Sequence, residues 1–288
     1  MVIPKRLPRR KTALIMALTG LFSCLGFIAL RAPITYATAS KTVSSPFVYN
    51  FNTSGVLDEA GSMSASSSPY WWLNSGGLLT IQNGVGRTVH GALPADDRWR
   101  KAYAKSNPID TDDGIHPQNI FRLVTRSKWN NFSAHAYFMI DAYQNSDSPH
   151  RNESNGILLM SRYQDGDNLY YAGIRVDGMA VIKKKVSGVY YTLAEKPVFP
   201  GVYNHDMGIN LIPDHRWIGL KCDVVTVDNG SVKLNLSLDD GWTGSWTPIL
   251  EASDSGTLGP AIAGKAYAGI RTDFMDVSFD DYEMQELQ

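Results

Sequence analysis

Cysteine is nearly absent from this chain, which has two in 288 residues, Cys24 and Cys222. Cys24 falls in a basic and apolar leader, so Cys222 stands alone in the rest of the chain and an internal disulfide framework is excluded. Within "WIGLKCDVV", Cys222 reads as a packed strand residue and not as a reactive thiol. No His/Cys spacing suits zinc. "DTDDG" (Asp110, Asp112, Asp113) brings its glycine one position too early for an EF-hand loop. Helical periodicity is scarce, and no internal repeat of propeller length is present. Positive charge is also short: six of the 27 Lys/Arg and none of the 28 Asp/Glu lie in residues 1–39, leaving a net charge of −7 on the remainder. A generally basic nucleic-acid binder is thereby excluded.

What is present begins with Lys5, Arg6, Arg9, Arg10 and Lys11, an uncharged run from Ala13 to Leu30, and the small-x-small site Ala37-Thr38-Ala39. That order predicts a signal peptide over residues 1–39, with a retained membrane anchor as the rival. The protein is then expected outside the cell or at its surface, touching a membrane only through an uncleaved anchor. After a spacer at 40–45, residues 46–288 hold many short β-branched and aromatic runs. "NIFRLVTR", "SAHAYFMI", "GILLMSRY" and "SVKLNLSL" are examples, and Asn-Gly, Asp-Gly and Ser-Gly separate many such runs. This pattern predicts an all-β fold, a two-sheet antiparallel β-sandwich of jelly-roll type. The segment Asn83–Gln118 lacks a period and carries three prolines, so it reads as a long irregular insertion with a short helix around "DDRWRKAYAK".

The opening "YNFNTSGVLDEAGS", the closing "AYAGIRTDFMDVSFDDYEM" and the meander "LYYAGIRVDGMAVIKKKVSGVYYTLA" resemble the concanavalin A-like lectin/glucanase jelly rolls, which include laminin-G-like modules. The likeness covers roughly residues 46–288. It implies that the two chain ends pair in one sheet, and that a structural Ca²⁺ is shared by Asp58 or Glu59 with Asp280 or Asp281. Clustered acids that would otherwise repel give the ion a physical motive. The resemblance is compatible with lectins, glycosidases, lyases and adhesion modules, and so bears on fold more than on function.

The lysine run 183–185 poses the sharpest question. Asp177-Gly178 suits a two-residue turn, which would set 176 opposite 179 and put Tyr171 and Arg175 on one side with Lys184. A bulge at Met179 would slip the register by one, exchanging Lys184 for Lys183 and Lys185 and bringing the latter pair onto the side of Tyr171. Taking Phe121, Leu123, Ala134, Ala136 and Phe138 as core, a single sheet face is expected to carry Arg122, Arg126, His135, Tyr137, Tyr171, Arg175 and Lys184. Such a face is a candidate groove for an acidic glycan; a merely solvated sheet face is the plainer alternative. Trp99, Trp242 and Trp246 are the expected sugar-stacking platforms, whereas Trp217 and one of Trp71 and Trp72 are expected in the core.

Catalysis has a narrower basis. Glycoside hydrolysis needs two flanking carboxyl groups, and the Glu-x-Asp-x-x-Glu strand motif of the glucanase branch is missing, which disfavours a hydrolase. A polyuronate lyase needs cations or amides around the substrate carboxylate and a Tyr or His to move the proton. Arg122, His135, Tyr137 and Tyr171, with His116, Gln118 and Asn119 nearby in sequence, are of the right types, although the Arg-x-Glu-x-Arg and Gln-x-His motifs of jelly-roll lyases are absent. The expected function is therefore a secreted domain that binds polysaccharide, acidic or from a cell wall. A lyase acting by β-elimination is the alternative, and an extracellular adhesion or structural module is the third.

Overall fold

The computed structural model describes residues 37–288, and the leader expected over residues 1–39 lies almost wholly outside them. Sixteen strands are formed: β1 (Phe47–Tyr49), β2 (Gly55–Asp58), β3 (Trp71–Ser75), β4 (Leu78–Gln82), β5 (Val85–Arg87), β6 (Ile120–Thr125), β7 (Phe132–Tyr143) and β8 (Gly156–Asp165). Next come β9 (Asn168–Arg175), β10 (Met179–Val186), β11 (Val189–Pro197), β12 (Trp217–Thr226), β13 (Val232–Asp240), β14 (Thr247–Asp254), β15 (Tyr267–Asp273) and β16 (Met275–Glu286). They build two antiparallel sheets. One has nine strands in the order β14-β13-β12-β7-β16-β5-β4-β2, with β1 also on β16; the other has seven, β11-β10-β9-β8-β15-β6-β3. The predicted two-sheet sandwich is thus what the chain adopts. Its described ends meet in one sheet as expected, Phe47 opposite Met284 and Tyr49 opposite Tyr282.

Alternation explains the core. In β13, Val232, Leu234, Leu236 and Leu238 face inward while Lys233, Asn235 and Ser237 face out. Each such buried aliphatic side chain contributes about 1.5–3 kcal/mol. Facing them across the sandwich are Phe121, Leu123, Ile157, Leu159, Ala172, Ile174 and Ile270. Cys222 is fully buried in this core, and burial pushes its thiol up to about 12, so it is the inert strand residue expected.

The irregular insertion contains the expected helix, α1 (Arg98–Ser106), whose first turn is capped by Asp97 accepting from the backbone N–H groups of Trp99 and Arg100. The helix docks by Tyr103, which donates to Glu59 (2.5 Å) and accepts from the Gly76 N–H (2.9 Å). Trp99 lies against Gly77, where a Cβ would sit 3.2 Å from the indole, while Arg98 covers its ring.

The turn after β9 decides the chemistry of the molecule's surface. The Gly178 N–H returns to the Arg175 carbonyl (2.9 Å), and only Gly178, at φ +79°, is left-handed, whereas a two-residue turn needs positive φ at Asp177 as well. This is a three-residue loop ending in a glycine bulge, one residue longer than the two-residue turn read from Asp-Gly. Register slips accordingly: Ala180 pairs with Ile174, Lys183 with Tyr171 and Lys184 with Tyr170. At the other end, Ser187 and Gly188 are both left-handed and Val186 faces Val189, as expected.

Candidate functional site

With that register, Lys183 and Lys185 point away from the core beside Tyr171 and, across β11, beside Thr192 and Tyr190. β15 contributes Arg271 and Asp273 to the same outer face of the seven-stranded sheet, and β8 contributes Leu158. Together with Asp110, His150 and Asn155 from the loops they line a groove of about 690 Å³. On its lip the His150 Nδ1–H donates to the Asp110 carboxylate at 2.7 Å.

Arg271 organises the groove. Its Nη1 donates to the hydroxyls of Tyr171 (2.9 Å) and Tyr190 (3.2 Å), its Nε donates to Asp273 (2.8 Å), and its guanidinium lies 5.1 Å over the Tyr171 ring. The two tyrosine rings stack 6.1 Å apart. They differ in setting: Tyr171 is 1% exposed and Tyr190 49%. Burial pushes the Tyr171 phenol up and outweighs the pull of Arg271. Burial also pushes Tyr190 up, but there Arg271, its hydrogen bond and Lys185 outweigh it and bring the phenol below its ordinary range. Lys185 is occupied, donating to the Gly166 carbonyl and to Asp167 at 2.9 Å each. Lys183 has neither a hydrogen bond nor an ion pair among the described residues. Burial first, and Arg175 second, push its ammonium down to about 8.

The expected single face does not form. Arg122 and Tyr171 do lie on the outer face of the seven-stranded sheet, Arg122 directly opposite Arg271. Arg175 is at that face's end and is spent on Asp177 and on Glu195 (3.0 Å). Lys184 points the other way, between the sheets and fully buried, donating to Asp254 (2.9 Å) and to the Gly259 carbonyl (2.8 Å), because the glycine bulge exchanged it with its neighbours. Arg126 is buried at a sheet edge, where it donates to the carbonyls of Thr38 (2.5 Å) and Ser68. His135 and Tyr137 belong to β7 and hence to the outer face of the nine-stranded sheet. Of the four lyase candidates, Arg122 and Tyr171 are therefore separated from His135 and Tyr137 by the whole sandwich. Gln118 and Asn119 are buried, donating to Asp276 (2.8 Å) and Asp112 (3.2 Å), and His116 is bound to Asp112.

Trp99 is no open platform, since Gly77, Arg98 and its own bond to Asp58 (3.3 Å) hold it against the fold. Trp71 is core, as expected of one of the pair, but Trp217 is not: it sits half-buried on the outer side, edge-on to Trp242 at 4.8 Å. The four carboxylates expected at an ion find other partners. Asp58 takes Arg98, Glu59 takes Tyr103 and the Gly77 N–H, Asp280 takes the Asp281 N–H, and Asp281 lies 3.9 Å from His135. Among the described residues no group of three or more His, Cys, Asp or Glu is placed to hold a metal.

Arg271, Lys183, Lys185, Tyr190, Thr192 and Asp273 are the main groove residues that the expected face omitted, beside Leu158, Asp110, His150 and Asn155. Lys183, Lys185 and Tyr190 were legible as the set favoured by the slipped register; Arg271 and Asp273 needed the strand order, which alternation does not give.

No protein-family model matches the chain, and no curated protein matches it. Several solved structures are similar. A carbohydrate-binding module, CBM66 from Bacillus subtilis, is 13% identical over 59% of this chain and 83% of the module, with a TM-score of 0.42. The GH43 protein BlXynB from Bacillus licheniformis is 13% identical over 83% of this chain but 39% of its own, at 0.44. The exoplasmic/lumenal domain of VIP36, in a Ca²⁺- and Man2-bound form, is 11% identical over 81% and 88% of the two chains, at 0.42. These are loose likenesses to this chain, and they assign no role to any of its residues.

Proposed function

We propose that the groove on the seven-stranded sheet binds an acidic polysaccharide, with Lys183 seating a carboxylate or sulfate of the chain. The observation that carries this reading is the half-buried, unpartnered Lys183 ammonium beside Arg271, Tyr171 and Tyr190. A cation withdrawn from water without a partner costs free energy, and an anionic ligand is the partner that offsets it. The exposed Tyr190 supplies apolar surface for the face of a sugar ring.

The test is calorimetric titration of the purified protein with pectate, alginate, hyaluronan and chondroitin sulfate, against neutral glucans. Binding is expected for acidic chains, weakening with salt. Lys183→Met is expected to weaken it about tenfold or more, because a charge-assisted hydrogen bond contributes about 1.5–3 kcal/mol. Equal binding of neutral chains in this groove, or none across the panel, overturns the reading.

One observation favours a second reading, a lyase in the same groove. Two phenols flank one guanidinium, and Arg271 with Lys185 brings the exposed Tyr190 phenol below its ordinary range, which suits it to take a proton and give it back. Tyr190 would take the proton α to a uronate carboxylate while Arg271 and Lys183 hold the enolate charge. The C–O bond to the leaving sugar then breaks, a carbon–carbon double bond forms, and Tyr190 returns the proton to the departing oxygen. Ultraviolet absorbance of the mixture separates the readings: a rise lost in Tyr190→Phe makes the groove catalytic, and a flat trace with intact binding leaves it a binding site.

A further inference from the structure

The opposite face of the sandwich carries a second cluster that the groove does not use. From the nine-stranded sheet, Tyr137 projects outward over Gly219, where a Cβ would lie 2.7 Å from the Tyr137 ring and 2.9 Å from Trp246. The loop after β13 lays Trp242 flat on Tyr137, centroids 4.4 Å apart and planes 10° apart. Trp217 meets Trp242 edge-on, and Trp246 leans on Tyr137 (5.6 Å) and on His135 (5.2 Å). Among the described residues no second layer covers these rings, and Trp242 remains 36% exposed.

This arrangement is held in place at a cost. Trp242 has φ +56°, a left-handed backbone that a bulky side chain rarely adopts. Such a conformation is unfavourable and persists only where its surroundings enforce it. Here the enforcing group is the fully buried Asp239. Its carboxylate accepts from the Thr243 N–H (2.9 Å) and hydroxyl (2.7 Å), from the Gly244 N–H (2.7 Å), and from the Tyr137 hydroxyl (2.8 Å). One aspartate therefore fixes both the loop and the ring beneath it.

We propose that this cluster is a separate saccharide site, an open shelf on which the pyranose ring of a neutral sugar stacks against Trp242. The rings pack on one another, leaving no box to enclose a quaternary ammonium, and the Lys221 ammonium already lies 6.0 Å over Trp246. A flat apolar ligand face is what fits an open indole. The rim is acidic: Asp280 is in register with Tyr137 and Glu283 with His135, and the Asp281 carboxylate stands beside His135. Carboxylates accept from sugar hydroxyls and repel an anionic chain, so the shelf takes neutral sugars where the groove takes acidic ones. Its residues are separate from those of the groove, and its binding does not depend on the groove being occupied.

The experiment is tryptophan fluorescence of the full protein titrated with neutral hexasaccharides of glucose, xylose and mannose. At least one is expected to give a saturable change with a dissociation constant of about 1 mM or tighter. Trp242→Ala is expected to weaken it about tenfold and Asp281→Asn several-fold, while Lys183→Met leaves it within about twofold. The Asp281→Asn arm, with circular dichroism on both shelf variants, keeps the test decisive should Trp242→Ala disturb the loop. Absence of saturation by any of the three sugars overturns the proposal, as does loss of the signal in Lys183→Met, which would place the sugar in the groove.

Discussion

Two neighbouring lysines should respond very unequally to the same substitution. Lys184 is fully buried between the sheets with Asp254, which is 2% exposed and also accepts from the Tyr170 hydroxyl (2.6 Å) and the Gly256 N–H (3.0 Å). Lys184→Met leaves that carboxylate buried with its cation gone. Removing one partner of a buried pair costs about 3–5 kcal/mol. For a domain of this size about 2–4 °C of midpoint is lost per kcal/mol, so the thermal midpoint should fall by roughly 6–20 °C. Lys183→Met should stay within about 0.5 kcal/mol of the parent, because the lost ammonium has no partner and its partial burial was unfavourable. Thermal and urea unfolding followed by circular dichroism measure both. Adding Asp254→Asn to Lys184→Met should recover part of the loss, since the two residues are coupled. Parent-like unfolding of Lys184→Met, or greater damage from Lys183→Met than from Lys184→Met, would refute the assignment of the two side chains to opposite faces.

Four further outcomes are expected. Affinity for an acidic polysaccharide should decline as pH rises through about 8, where Lys183 loses its proton; a titration flat across that window removes Lys183 from the site. The same shift has a sign for stability. Lys183 is lowered in the folded state, so between about 8 and its ordinary value the unfolded chain binds more protons, and this residue's contribution rises with pH in that interval. Gly178→Ala should destabilise by more than about 1 kcal/mol in urea unfolding, because its backbone is left-handed and a Cβ would lie 2.2 Å from the Phe199 carbonyl oxygen; an unchanged midpoint would contradict the turn described. Cys222 should resist a thiol reagent until the protein unfolds, and prompt native-state labelling would contradict its burial.

The strands, the inserted helix and the packed Cys222 were legible from local pattern, above all alternation and turn residues, whereas the pairing of the described ends was implied only by the resemblance. Two things were not local. The first is sheet membership. "NIFRLVTR" and "SAHAYFMI" are adjacent in sequence and look alike, yet β6 and β7 fall in different sheets, which sends Arg122 and His135 to opposite sides. The second is a single turn residue. Asp-Gly is compatible with a two-residue turn and with a longer turn closed by a glycine bulge, and sequence alone kept both registers open. Trp217 shows a related limit, because an aromatic at the start of a strand can belong to either face, and its partner Trp242 comes from a loop whose path is set by the buried Asp239.

The bulge at Gly178 also decides which side of β10 faces out. Every residue of β10 takes its side from the pair of residues that this one turn sets opposite each other. Closing Asp177-Gly178 as a two-residue turn, with Val176 opposite Met179, would carry Lys183 and Lys185 into the interior, where Asp254 could neutralise one at most, and would bring Lys184 out beside Tyr171. A descendant of this chain could exchange almost any outward side chain of β10 and keep the fold. It could not re-pair that turn by one residue without turning its groove inside out, so the conformation at Gly178 carries more information than the lysines themselves.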